Sequence, residues 1–196
     1  MCALLGSDYS REMSPEVHCL VVIDMQRAFV EGSAAVSAKD SLVRAVNTQL
    51  DQARSVGALV VHLQNDGAMG ASDEPGTWGW QLSISPHSSE ILIRKQNDNA
   101  FAGTELHAVL QEHHVKVLSV CGVLSEMCVA ATARAAVGHG YDVILAHDSH
   151  ATYSVPPCLP TEPVIPAGHA ACVAEWSLGD AVTIPPRAAD VRFAMP

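Results

Sequence analysis

Cys128 stands in the segment Gly122-Val123-Leu124-Ser125-Glu126-Met127-Cys128-Val129-Ala130, between an apolar run and an alanine-rich stretch. Val115 to Val120 reads as a buried strand that breaks at Gly122, and a helix over roughly 125–137 follows. A thiol at a strand-to-helix turn faces unpaired helix N–H groups and the positive end of the helix dipole. Both favour the thiolate, the nucleophilic form of cysteine. With Ser125 as N-cap, Cys128 is the third helical residue, inside the first turn. The competing reading is a small buried hydrophobe, the usual role of a free cysteine.

Two further residues carry chemistry at corresponding places. Asp24 follows the apolar strand 17–23, and Lys95 follows a short strand at 91–93. In a parallel sheet, ligands bind beyond the carboxyl ends of the strands, so an acid, an amine and a thiol at those ends can converge. Together they suit acyl transfer. Cys128 would attack a carbonyl carbon. Asp24 would take the thiol proton and later return it to a leaving amine. Lys95, as ammonium, would keep Asp24 ionised and favour the thiolate. The backbone N–H groups of Leu124 and Cys128 are candidates for an oxyanion hole, where losing one donor typically costs about 2.7–4 kcal/mol. The plainer alternatives are a turn cap for Asp24 and a solvated surface charge for Lys95. A redox cysteine is disfavoured because no second cysteine lies at Cys-x-x-Cys spacing. A binding protein on the same fold is the non-enzymatic alternative.

The elements that must position these residues alternate along the chain. Strands are expected at 17–23, 58–63, 91–93, 115–121, 142–146 and 181–184. Helices are expected at 39–56, where Leu42, Val43, Val46, Leu50 and Ala53 recur at helical spacing, and from a Thr104 cap to His113, at 125–137 and at 170–178. Gly57 ends the first of them. Residues 65–90 hold Gly, Ser, Pro and two tryptophans and read as a long functional loop, while the proline-rich 153–168 cannot be regular. Alternation of this kind predicts one α/β domain with a parallel sheet between two layers of helices.

Composition narrows the partners. Hydrophobic residues make up 48% and charged residues 16% of the 196, which is a folded chain with a full core. The net charge of −10 argues against nucleic acid, and no apolar run reaches membrane-spanning length. Residues 1–15 read as a flexible N-terminus without a signal-peptide core, so the expected location is the cytoplasm. The six cysteines show no paired metal spacing and read as free thiols, with Cys19 and Cys121 inert in the core.

Taken together, three segments resemble the isochorismatase-like cysteine hydrolases. They are Val21-Val22-Ile23-Asp24-Met25-Gln26-Arg27-Ala28-Phe29, then Arg94-Lys95 with Ala100-Phe101 and Thr104-Glu105-Leu106, and then Gly122 to Ala130 with Thr132 to Ala136, Gly140 to Val143 and Asp148. The resemblance implies an Asp24–Lys95–Cys128 triad, a cis peptide between Val123 and Leu124 that would aim the oxyanion donors, and a three-layer α/β/α fold around a six-stranded parallel sheet. Retention of Cys128 implies hydrolysis of a C–N bond, because members that act on isochorismate lack this cysteine. A metal-binding branch carries an Asp-x-His motif after the second strand, but here Asp66 is followed two residues later by Ala68, so no metal and no cofactor is expected. Gln64-Asn65-Asp66-Gly67, the tryptophan loop and Asp148 to Thr152 most resemble the streptothricin hydrolase branch, which opens a cyclic amide of a cationic antibiotic. A nicotinamidase-like or carbamoyl amidase activity is the alternative, and a homodimer or larger homo-oligomer is implied.

Four further residues are candidate substrate contacts. Phe29, Trp80 and Phe101 offer flat rings, and Gln64 ends the second strand. Trp78 is a weaker candidate in the same loop. His62 is expected to be a satisfied core residue, Asp148 a structural hydrogen-bond partner, and His113-His114 a helix end remote from the triad. His150 lies near the active edge without an assigned role.

Overall fold

Strand β1 (Cys19–Ile23) is apolar at every position and buried throughout, the pattern of a central parallel strand covered on both faces. The structure is a computed structural model and describes residues 15–196. Within them β2 (Leu59–Asn65), β3 (Ile91–Lys95), β4 (Val117–Val123), β5 (Asp142–Ile144), β6 (His150–Ala151) and β7 (Val182–Thr183) join β1 in one sheet. Every pairing between these strands is parallel. The order is β3-β2-β1-β4-β5-β7, with the short β6 added to β4. The chain thus builds outward from β1 in one direction and then from β4 in the other, the topology that in open parallel sheets puts the ligand site at the carboxyl ends of the two strands where the order reverses.

Helices cover both faces. They are α1 (Arg27–Val30), α2 (Lys39–Val56), α3 (Leu106–Glu112), α4 (Ala130–Gly138) and α5 (Ala167–Trp176). Alternation along β1 feeds two cores. Leu20 and Val22 pack with Leu42, Val46 and Leu50 of α2, while Cys19, Val21 and Ile23 pack with Leu106, Leu110, Ala130, Ala133 and Ala136. The expected three-layer α/β/α arrangement is therefore present. Helix α2 has the bounds read from its periodicity and ends at Gly57, whose φ of +73° lets its N–H turn back to Ala53 and Arg54.

The differences from the sequence reading lie at element ends and in short elements. Strands β2, β3 and β4 each run two residues further than expected, to Asn65, Lys95 and Val123. Hydropathy stops at the polar functional residues, but the ladder continues through Gln64↔Arg94 and Asn65↔Lys95. Strand β6 has only two residues and so carries no periodicity in the sequence, and it makes the sheet seven-stranded rather than six-stranded. The helix expected over 125–137 divides into a π-type turn, Ser125–Val129, and then α4; Met127 leaves helical geometry at φ −103°, ψ −105°. Helix α5 begins at Ala167 rather than 170. Residues 66–90 contain no helix or strand, as expected, and 153–166 contain only an isolated bridge between Val155 and Ile165. The expected flexible N-terminus and Cys2 fall in or against residues 1–14, outside the described residues. Among the described residues no helix is long and apolar enough to cross a membrane.

Candidate active site

Asp24 is the first residue past β1 and turns the chain with φ +49°, a left-handed conformation that aspartate tolerates better than most residues. Its N–H donates to the Leu63 carbonyl at 3.1 Å, so β2 fixes the turn. Gly122 pairs with Ile23 across β1 and β4 at φ +120°, and a Cβ there would collide with the Ile23 carbonyl. Only glycine lets the two strand ends close, which brings the turn after β4 against Asp24.

Lys95, the last residue of β3, reaches into the same space. Its Nζ lies 2.7 Å from Asp24 Oδ2 and donates to Cys128 Sγ at 3.3 Å and to Asn65 Oδ1 at 3.3 Å. Asp24 and Lys95 are each 2% exposed, while Cys128 is half-buried and accessible to a ligand. The second oxygen of Asp24, Oδ1, is buried with no hydrogen-bond partner among the described residues. The three side chains singled out from the sequence therefore meet, carried by three strand ends. The Val123–Leu124 peptide is cis. The N–H groups of Met127 and Val129 both donate to the Leu124 carbonyl, at 3.1 and 3.2 Å.

The electrostatics correct one expectation. Burial pushes the Cys128 thiol up, Asp24 pushes it further, and Lys95 opposes both without prevailing. The expected depressed thiol is absent because a thiolate here would be a second anion beside Asp24 with one cation to share. The turn also contributes less than a regular helix start would. Ser125 lies within it and makes no side-chain cap bond, so the N-cap expectation fails. Cys128 thus rests as a thiol and needs a base. Burial raises the Asp24 carboxyl as well, against the pull of Lys95. Burial alone would lower Lys95, but Asp24 and Cys128 outweigh it and hold its proton more firmly than usual.

Three residues at the site were not singled out in the sequence. Asp98 accepts from Cys128 Sγ at 3.5 Å, a contact that nothing in the polar run 96–99 distinguishes beforehand. Gln26 is fully buried; its amide nitrogen donates to the carbonyls of Asn65 and Trp80, each at 3.0 Å, and its oxygen accepts from Asn65 N–H at 2.8 Å. Asn65 in turn meets Lys95 and donates to Asp73 Oδ2 at 2.7 Å. Both Gln26 and Asn65 sit at strand ends beside the triad, which is the one signal that pointed to them.

The expected substrate contacts divide. Gln64 is buried and its amide donates to the Trp80 carbonyl at 2.8 Å, fastening the 66–90 loop to β2. Trp80 Nε1 donates to Asp66 at 2.9 Å, and Arg94 lies 5.1 Å over its ring. These two residues belong to the same edge network as Gln26. Phe29 and Phe101 pack on opposite faces of the sheet, the latter stacked on Tyr141 and tilted against His139. Trp78 is exposed beneath Arg27. His62 is buried against Glu90 at 2.9 Å, and Asp148 accepts from Ala188 N–H, so both have the structural partners expected of them.

The residues where the family's metal-binding branch holds its ion do not form a donor set here. Asp66 is bonded to Arg94 at 2.8 Å and to Trp80, and Ala68 stands where the histidine would be.

Comparison with known proteins agrees with this architecture. The isochorismatase domain model matches residues 18–157. Two streptothricin hydrolases of Streptomyces noursei are 49% and 50% identical over 91% and 92% of this chain, which spans 71% and 66% of their lengths. An isochorismatase family protein of Bacillus subtilis is 35% identical, with 76% of this chain and 84% of that protein aligned. The crystal structure of an isochorismatase from Pseudomonas putida KT2440 superposes with a TM-score of 0.83 at 30% identity, covering 91% of this chain and 93% of the other. On the match of the domain model over most of the chain, and on relatives near half identical, the chain belongs to the isochorismatase domain family of hydrolases.

Proposed function

We propose that this protein is a metal-independent cysteine amidohydrolase that cleaves the C–N bond of a small amide or lactam. The supporting observation is that Lys95 Nζ lies within hydrogen-bond reach of both Asp24 and Cys128. Asp24, as carboxylate, takes the proton from Cys128 as its sulfur bonds to the carbonyl carbon. The N–H groups of Leu124 and Cys128 stabilise the resulting oxyanion. The C–N bond then breaks, Asp24 gives its proton to the nitrogen, and the amine leaves a thioester on Cys128. A water molecule gives a proton to Asp24 and attacks the thioester; the C–S bond breaks, the acid departs and Asp24 returns the proton to sulfur. Lys95 keeps the Asp24–Cys128 pair from holding two protons at neutral pH.

Streptothricin is the first substrate to test, because the relatives near 50% identity are streptothricin hydrolases. Phe29, Gln64, Trp80 and Phe101 remain the proposed pocket residues, and the working form is read as a cytoplasmic homodimer or larger homo-oligomer. The test is a panel of streptothricin, simple lactams, carbamoyl compounds and nicotinamide, each with and without EDTA. The expected result is hydrolysis of at least one amide at an unchanged rate in EDTA. No hydrolysis across the panel, or loss in EDTA with recovery on metal addition, contradicts the proposal.

A further inference from the structure

We infer that Glu175, His150 and Ser125 form a positioning relay that fixes the nucleophile turn in place. The inference rests on the reading of Cys128 as nucleophile. Ser125 lies three residues before Cys128 and is 1% exposed. Its Oγ is 2.8 Å from His150 Nδ1, and His150 Nε2 is 2.8 Å from Glu175 Oε1. The side chain of His150 is 1% exposed and that of Glu175 is 13%. The chain runs from α5 through β6 to the turn, and joins segments distant in sequence.

The direction of the bond between His150 and Glu175 follows from charge. Burial would raise the Glu175 carboxyl, but its bonds to His150 and to His147 outweigh this and hold it below the usual carboxylate value. Glu175 therefore accepts from His150 Nε2–H, and the other ring nitrogen of His150, Nδ1, is hydrogen-bonded to Ser125 Oγ. His147 Nδ1 holds the same Glu175 oxygen at 2.8 Å.

The turn needs such support. It is π-type with Met127 outside helical geometry, so the regular bonds of an α-helix do not place Cys128. Tertiary bonds surround it instead. Gly122 N–H donates to Ser149 O, and β6 pairs His150 with Gly122 and Ala151 with Val123. Thr152 Oγ1 donates to Glu126 Oε1 at 2.9 Å, a second side-chain bond between the turn and the segment carrying His150. An apolar trio would fill the same volume with no desolvation cost, but would not set a direction. Displacing a reacting atom by about 1 Å can cost about a hundredfold in rate.

The test compares the full-length protein with Ser125→Ala, Glu175→Ala and Glu175→Gln by two readouts. The first is amide turnover resolved into kcat and KM. The second is the iodoacetamide labelling rate of Cys128 relative to exposed Cys158, read by peptide mapping, which needs no substrate. Ser125→Ala and Glu175→Ala are expected to lower kcat by about tenfold or more with KM within about threefold, and to shift the labelling ratio by about fivefold or more. Glu175→Gln keeps an acceptor for Nε2–H and is expected to restore both to within about threefold. Ser125→Ala removes one oxygen and reads the relay if Glu175→Ala unfolds. An unchanged labelling ratio in folded Ser125→Ala, or a Glu175→Gln as impaired as Glu175→Ala, overturns the inference. If the wild type hydrolyses no amide, the amidohydrolase reading fails by itself, and the labelling ratios still decide the relay.

Discussion

Burial and then Asp24 hold the proton on Cys128, and Lys95 pulls against them. Asp24 and Cys128 are both raised and lie against the same cation, so they titrate as a coupled pair, while Lys95 holds its own proton more firmly than usual. The active form needs one proton on that pair. On acidification the pair gains a second one, and Asp24 does so above its ordinary 3.8. The acid limb of kcat/KM is therefore expected above that value. Lys95→Gln removes the cation that opposes protonation, so the limb is expected to move to still higher pH and the plateau to fall by about 10²-fold or more. A pH–rate profile checks both, and an acid limb that stays put in Lys95→Gln contradicts the electrostatic role. Asp24 and Lys95 were legible because each is a polar residue just past the apolar run of a strand, and Cys128 because it stands at a strand-to-helix turn. Asp98 and Gln26 were not, since no spacing tells which loop residue a distant side chain will meet.

Elements place these residues by a few specific joints. Gly122 is one, where backbone meets backbone between β1 and β4. Gly122→Ala is expected to destabilise the fold by more than about 2 kcal/mol, because neither its φ nor the Ile23 carbonyl leaves room for a methyl group; chemical denaturation checks this. Glu90 is another. It bonds Arg54 of α2 at 2.7 Å, His62 of β2 at 2.9 Å and His87 N–H at 2.8 Å, just before β3. Burial raises its carboxyl, but Arg54, His87 and His62 together hold it down at about 2 against an ordinary 4.5. A depressed carboxylate stabilises the fold fully above its unfolded pKa, and that contribution fades as pH falls from about 4.5 toward 2. In Glu90→Gln this part of the acid dependence is expected to vanish from thermal melts. Helix α2 was legible from its periodicity and Gly57. The strand ends, β6 and the π-type turn were not, because ladder partners and tertiary bonds decide them, and local hydropathy carries neither.

At the scale of the whole molecule, the strand order reverses between β1 and β4, whose carboxyl ends carry the site, and Lys95 comes from β3, two strands away from β1. The fold class was legible from alternating strands and helices. The route of the 66–90 loop was not, since it is fixed by buried Gln26, Gln64 and Asp73 rather than by any element of its own. The Cys128 side chain is small and half-buried on the turn, where it packs against one core and meets Lys95 and Asp98 but carries none of the sheet's ladder bonds. Steady-state hydrolysis of streptothricin, or of the best amide from the panel, by Cys128→Ala is therefore the most direct test of the nucleophile. The expected result is a protein with wild-type circular dichroism and melting behaviour whose turnover is lower by more than about a thousandfold. Turnover within tenfold of wild type in that folded variant would contradict catalysis by Cys128.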